Sequence, residues 1–90
     1  MMSCYLCGVH DDAYYTGCML HMYNDRIFIR FFFKTWIIPH ETITKLYFKK
    51  YVVGIEYQHR YAKEYIEINM VRKKRFKCEL EKLGKPIIRS

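Results

Sequence analysis

Apolar residues in this chain recur mostly at every second position, and the spacing changes once, near residue 71. In "TGCMLHMYNDRIFIRFFF" two apolar and aromatic runs flank Asn24-Asp25, residue types suited to a tight turn. Strands paired across that turn set Met22 against Ile27, Leu20 against Ile29 and Cys18 against Phe31, which makes one apolar face. The other face carries Met19, His21, Phe28, Arg30 and Phe32. The same alternation assigns Phe31 and Phe33 to the core and Phe32 to the outside, with a bend at Lys34-Thr35. "TWIIP" reads as a short strand that buries Trp36 and one of Ile37 or Ile38 and ends at Pro39; "HET" follows as a turn. "ITKLYFKKY" alternates only in part, anchored by Ile43, Leu46 and Phe48. "VVGIEYQH" places Val53, Ile55 and Tyr57 opposite Glu56 and Gln58, and "EYIEINM" turns Ile66, Ile68 and Met70 inward.

The period then becomes helical. In "VRKKRFKCELEKLG", Phe76, Leu80 and Leu83 recur at i, i+4 and i+7, one narrow apolar stripe. Gly84 is a natural residue just past a helix end, and Pro86 cannot continue the helix. The order predicts a mainly β (α+β) fold of six to seven antiparallel strands in a meander, capped by one C-terminal amphipathic helix. A small sheet with one apolar face needs a cover, so a partly open barrel or orthogonal sandwich under the helix is expected. Residues 1–13 read as an irregular arm, 14–84 as one domain and 85–90 as a tail.

The segments "MLHMYNDRIFIRF", "WIIPHETITKLYF", "VVGIEY", "YIEINM" and "RFKCELEKL" follow one another as in the pleckstrin-homology-like superfold. The pattern resembles its compact bacterial and GRAM-type versions over roughly residues 14–84. The resemblance implies a binding or assembly module without catalysis of its own. Lipid-binding members hold phosphoinositides with cations on the first two strands and a long basic loop between them. Here Arg26 and Arg30 follow a loop of only Asn24-Asp25, short and acidic, so that cradle is missing.

Charge sharpens this picture. The 90 residues carry a net charge of +7, but residues 1–25 hold three aspartates and no lysine or arginine. The densest run is Arg72, Lys73, Lys74, Arg75 and Lys77. Such a field favours anionic partners, nucleic acid or lipid headgroups; a solvated face is the plain alternative. The most apolar window, Ile27 to Ile38, is broken by Arg30 and Lys34 and falls short of the ~20 residues of a membrane-spanning helix. Without a signal-peptide pattern, a cytoplasmic protein is expected, with peripheral membrane contact as an option and Cys4, Cys7, Cys18 and Cys78 reduced.

Several constellations suggest chemistry. Cys4-x2-Cys7 with His10 and either Cys18 or His21 has zinc-knuckle character, although a strand through 18–22 points Cys18 and His21 to opposite faces. A flexible arm with free thiols is the other reading, and the adopted one calls for no metal and no cofactor. His40-Glu41 lacks a third orienting group, and His59-Arg60 with Tyr57 and Tyr61 evokes small ribonucleases whose opening helices are not expected here. Tyr47, Tyr51, Tyr57, Tyr61 and Tyr65 interleave with Lys45, Lys49, Lys50, Arg60 and Lys63, as stacking aromatics and phosphate-following cations do in nucleic-acid surfaces. The sequence therefore points to a non-enzymatic, basic interaction module acting through a protein partner, self-association or an anionic membrane surface; the alternative is a small RNA- or DNA-binding protein. The expected anion-binding residues are Arg72, Lys73, Lys74, Arg75, Lys77, Arg26 and Arg30, and the expected interface is Phe28 and Phe32.

Overall fold

A computed structural model describes residues 3–90. Its strands are β1 (Ser3–His10), β2 (Tyr14–Met22), β3 (Arg26–Arg30), β4 (Thr35–Pro39), β5 (Ile43–Phe48), β6 (Val53–His59), β7 (Ala62–Asn69) and β8 (Ile87–Arg89). A 3-10 turn at His40–Thr42 separates β4 from β5, and helix α1 (Lys73–Glu81) lies between β7 and β8. The strands form one eight-stranded sheet in the order β4-β3-β2-β1-β7-β6-β5-β8. All neighbours are antiparallel except β5 and β8, and the sheet is not closed. Two meanders, β1–β4 and β5–β7, are thus joined through the β1–β7 pair, where Val9 faces Ile68.

The register puts every core side chain of the sheet on one face. Leu20 opposes Tyr5 and Ile29, Ile27 opposes Met22 and Ile38, and Ile29 opposes Trp36. In the second meander Ile55 opposes Leu46 and Ile66, and Val53 opposes Phe48 and Ile68. A flat sheet with this single apolar face would leave it wet. Instead the molecule measures 32 × 31 × 27 Å, far thicker than one layer, because the sheet curls around that face. Phe76 and Leu80 of α1, both fully buried, complete the core.

Two bulges reset the alternation. Gly8 stands opposite both Thr16 and Gly17, and Gly17 takes φ +77°, a conformation that costs glycine little. Tyr15 and Cys18 therefore both face inward. In β5 the extra residue is Thr44, which explains the partial alternation of "ITKLYF"; its Oγ1 donates to the Glu56 carboxylate at 2.8 Å.

The central strand faces match the sequence pattern, and the ends do not. Residues 3–10 of the expected irregular arm are β1, with Tyr5, Cys7 and Val9 buried; residues 1 and 2 lie outside the described residues. Helix α1 holds this strand: Tyr5 and Ser3 both donate to the Glu79 carboxylate, the latter at 3.0 Å, and the Tyr5 and Phe76 rings lie 5.4 Å apart. The expected tail is likewise structured, since β8 runs parallel to β5 and Leu46 N–H donates to the Pro86 carbonyl at 2.9 Å. Phe33 is not core. Phe31 and Lys34 exchange backbone hydrogen bonds of 2.8 and 3.3 Å, so the bend falls at Phe32-Phe33 rather than Lys34-Thr35. Both rings project outward, 91% and 84% exposed, while Phe31 packs against the core.

This placement separates two phenylalanines that alternation treats alike. Phe76→Ala is expected to lower unfolding free energy by about 3–5 kcal/mol in chemical denaturation, whereas Phe33→Ser changes it by no more than about 0.5 kcal/mol. A large loss at Phe33 would restore it to the core.

Candidate functional site

Cations on this protein fall into two groups. Arg26, Lys34, Lys49, Lys63 and Arg89 each meet a carboxylate within 4.0 Å. None of Arg72, Lys73, Lys74, Arg75 and Lys77 forms an ion pair among the described residues. The run sits at the start of α1, whose first turn has no acidic residue and whose N-cap, Arg72, makes no side-chain cap. Positive charge at a helix N-terminus opposes the helix dipole, so this arrangement is locally unfavourable.

Helical spacing divides the run. Lys73 and Lys77 turn back toward the sheet, where their Nζ atoms donate to the Met70 and Lys49 carbonyls at 3.1 and 3.0 Å. Lys77 also lies 5.5 Å from the Phe48 ring. Arg72, Lys74 and Arg75 remain exposed. Beside them, in the β7–α1 connection, Val71 is 98% exposed. It lines a groove of about 280 Å³ with Tyr5, Leu6 and Arg72, and Leu6 is 68% exposed on the outer face of β1.

A second groove extends the patch from Val71 and Leu6 to Gly17, and a third runs from Gly17 past Met19 to Arg30 and Phe32. The structure thus places Arg30 and Phe32 on the same outer-face track as Leu6, two strands away from it. It does not bring Arg26 or Phe28 there. Arg26 is held by Asp25 at 2.9 Å and lies 4.4 Å from the Tyr23 ring, while Phe28 is half-buried against His21 and Tyr23. The sequence missed Leu6 and Val71. Leu6 became visible only once β1 was a strand, and Val71 only once the helix start was fixed.

The tyrosine-rich face of β5–β7 is occupied with itself. Tyr47 and Tyr65 meet edge to face at 5.5 Å, and the Tyr65 ring covers Gly54, where a Cβ would lie 2.3 Å from its hydroxyl. Tyr65 and Lys49 both donate to Glu67, and these hydrogen bonds, Lys49 first, lower the Glu67 pKa. Tyr57 points into the core, where burial pushes its pKa up to about 12. Tyr51 and Tyr61 are more exposed than Tyr65, with Tyr61 at the β6–β7 hairpin tip beside Arg60, φ 55°.

Of the expected zinc set only Cys4 and His21 are brought together, with Cys4 Sγ 3.6 Å from His21 Nδ1. Cys7 and Cys18 are register partners on the buried face, Cys4 lies on the outer face, and His10 stacks on Tyr14 at 4.1 Å. Burial, with the neighbouring thiols, pushes the Cys7 pKa to about 12. Among the described residues no group of three or more His, Cys, Asp or Glu is gathered for a metal. His59 lines a cleft of about 170 Å³ with Asp11, Trp36, Tyr57 and Glu64, from which Tyr61 is absent. His40 begins the 3-10 turn, and its Nε2 is buried with no hydrogen-bond partner among the described residues. Comparison with protein-family models, curated proteins and solved structures finds no match.

Two expectations follow from these environments. A thiol reagent on the native protein should label Cys4 and Cys78 rapidly and leave Cys7 and Cys18 unlabelled until denaturant is added; fast labelling of all four would contradict the buried pair. Burial also lowers the His40 pKa, so the unfolded chain binds its proton more readily than the folded one. Stability therefore falls as pH drops below the ordinary histidine value of about 6.5. Melting curves between pH 7 and 5 should show this slope, and His40→Gln should flatten it.

Proposed function

We propose that the chain is a non-catalytic interaction module of pleckstrin-homology-like architecture that docks peripherally on an anionic membrane surface. One observation carries the reading: a dense cationic run with no carboxylate partner among the described residues adjoins the exposed apolar side chains Val71 and Leu6. Cations attract headgroups while a few apolar side chains seat at the interface. Phe76 and Leu80 face the core, so α1 acts by its charged edge rather than by inserting its stripe. Among the described residues no helix is long and apolar enough to cross a membrane.

The architecture supports the same class. Pairs β1–β2, β2–β3, β3–β4, β5–β6, β6–β7 and β7–β1 are those of a seven-stranded meander opened between β4 and β5, followed by a helix. Strand β1, from the segment expected to be an irregular arm, is one of these seven. It also moves the first hairpin to Asp11–Ala13, whose two aspartates suit a phosphoinositide cradle even less than Asn24-Asp25. Docking is therefore by general negative charge, with no headgroup singled out. Nucleic acid is the second reading, because Tyr47, Tyr65 and Lys49 in the middle of the β5–β7 face engage one another and Glu67.

Flotation with vesicles of phosphatidylserine and phosphatidylcholine at moderate salt tests this, repeated with excess RNA. The protein should float, and RNA should not release it. Each cation near the surface is worth about 1 kcal/mol, so Arg72→Gln/Lys74→Gln/Arg75→Gln should weaken binding on the order of a hundredfold. Release by RNA, with direct RNA binding, would transfer the function to nucleic acid; binding to neither would end both readings.

A further inference from the structure

Away from the basic patch, the outer face of β1–β4 presents a row that runs straight across four strands: Cys4, His21, Phe28 and Ile37. Cys4 and His21 are register partners, and Cys4 Sγ lies 3.6 Å from His21 Nδ1. Cys4 is solvent-exposed, and Ile37 is 54% exposed on the unpaired edge strand β4. The imidazole lies beside two aromatic rings. Tyr23 stacks along it with centroids 6.0 Å apart, and Phe28 lies against it at 5.9 Å.

The spacing has a chemical meaning beyond a thiol hydrogen bond. Zinc–sulfur and zinc–nitrogen bonds of about 2.3 and 2.0–2.1 Å, set at a tetrahedral angle, separate sulfur from nitrogen by about 3.5–3.6 Å. Cys4 Sγ and His21 Nδ1 already stand at that separation, on a face open to solvent, with the ring beside Tyr23 and Phe28. They supply two ligands where a closed structural site has four. Among the described residues no third His, Cys, Asp or Glu is gathered with them: Cys7 and Cys18 are buried on the opposite face, and His10 is stacked on Tyr14. A two-fold axis through the site doubles the set to two cysteines and two histidines.

We propose that Cys4 and His21 form half of a zinc-type site, completed by the same pair from a second copy of this chain. Two thiolates balance the charge of a divalent ion, so the centre itself is neutral. Around it, exposed Ile37 and half-buried Phe28 offer apolar surface to the partner, and Leu6 marks the border with the basic patch. The net charge of +7 on each copy, with exposed Arg30 one rung away, opposes association by apolar contact alone. The metal is thus required for the dimer, and the metal-free protein is a monomer.

Cobalt(II) substitutes for zinc and makes the site visible. Reduced, metal-free protein is titrated with Co²⁺ under a phosphine reductant, with absorbance and sedimentation equilibrium read in parallel. The expected result is the d–d spectrum of tetrahedral cobalt with a thiolate charge-transfer band, saturating at one ion per two chains as monomer becomes dimer. Zn²⁺ should bleach the colour and keep the dimer. Cys4→Ser and His21→Gln should each lose both signals while their far-ultraviolet circular dichroism stays native, and Cys78→Ser should keep both. Saturation at one ion per chain without dimerisation, a dimer formed without metal, or an unchanged response in Cys4→Ser would each overturn the proposal.

Discussion

The pairing of β1 with both β2 and β7 is the constraint on which the rest of the structure depends. Without it the chain holds a meander of β2–β4 and another of β5–β7, each with an apolar face and nothing to enclose it. Val9 sits between Ile68 and the inner face, wholly buried, and Tyr5 and Ser3 tie the same strand to Glu79 on α1. Burial and the carboxylate together push the Tyr5 hydroxyl pKa up to about 12, so it stays a donor to Glu79 throughout the neutral range. One strand thereby fixes both the curl of the sheet and the seat of the helix. The position of the helix in turn decides which cations reach solvent.

That seat explains the division within the basic run. With Phe76 and Leu80 committed to the core, a helix of 3.6 residues per turn brings Lys73 and Lys77 back over the sheet and leaves Lys74 and Arg75 outside. Five cations elsewhere meet nearby carboxylates, and the turns between the early strands carry the aspartates that do part of it. The start of α1 has no such compensation and opposes the helix dipole besides. A fold with other ways to distribute charge keeps this cluster where an anionic surface would relieve it.

Most of the inner face was legible in the sequence because alternation is a local signal. Leu20, Ile27, Ile29, Ile55 and Ile66 needed only period two, and Phe76 and Leu80 only the helical period. β1 was illegible for a physical reason: its outward positions Cys4, Leu6 and Gly8 are no more polar than its inward ones, so "SCYLCGVH" shows no amphipathic contrast, and its cysteines invited a ligand reading. The β3–β4 hairpin was misplaced because its turn consists of two phenylalanines and contains no glycine, asparagine or proline to mark it. Within the site, the charge run could be read directly. Leu6 beside Val71, and Cys4 beside His21, depend on the pairing of strands and on where the helix begins, which no local pattern carries.

The proposed contact with an anionic surface through one patch is best tested by residue-resolved amide shifts. Isotope-labelled protein is titrated with nanodiscs containing phosphatidylserine and followed by two-dimensional NMR. The account predicts shifts and broadening that begin at Leu6 and Val71 to Arg75 and reach Arg30 and Phe32, with Tyr47, Tyr65 and Glu67 unmoved. Perturbations centred on the tyrosine face of β5–β7, or none at any lipid concentration, would contradict it.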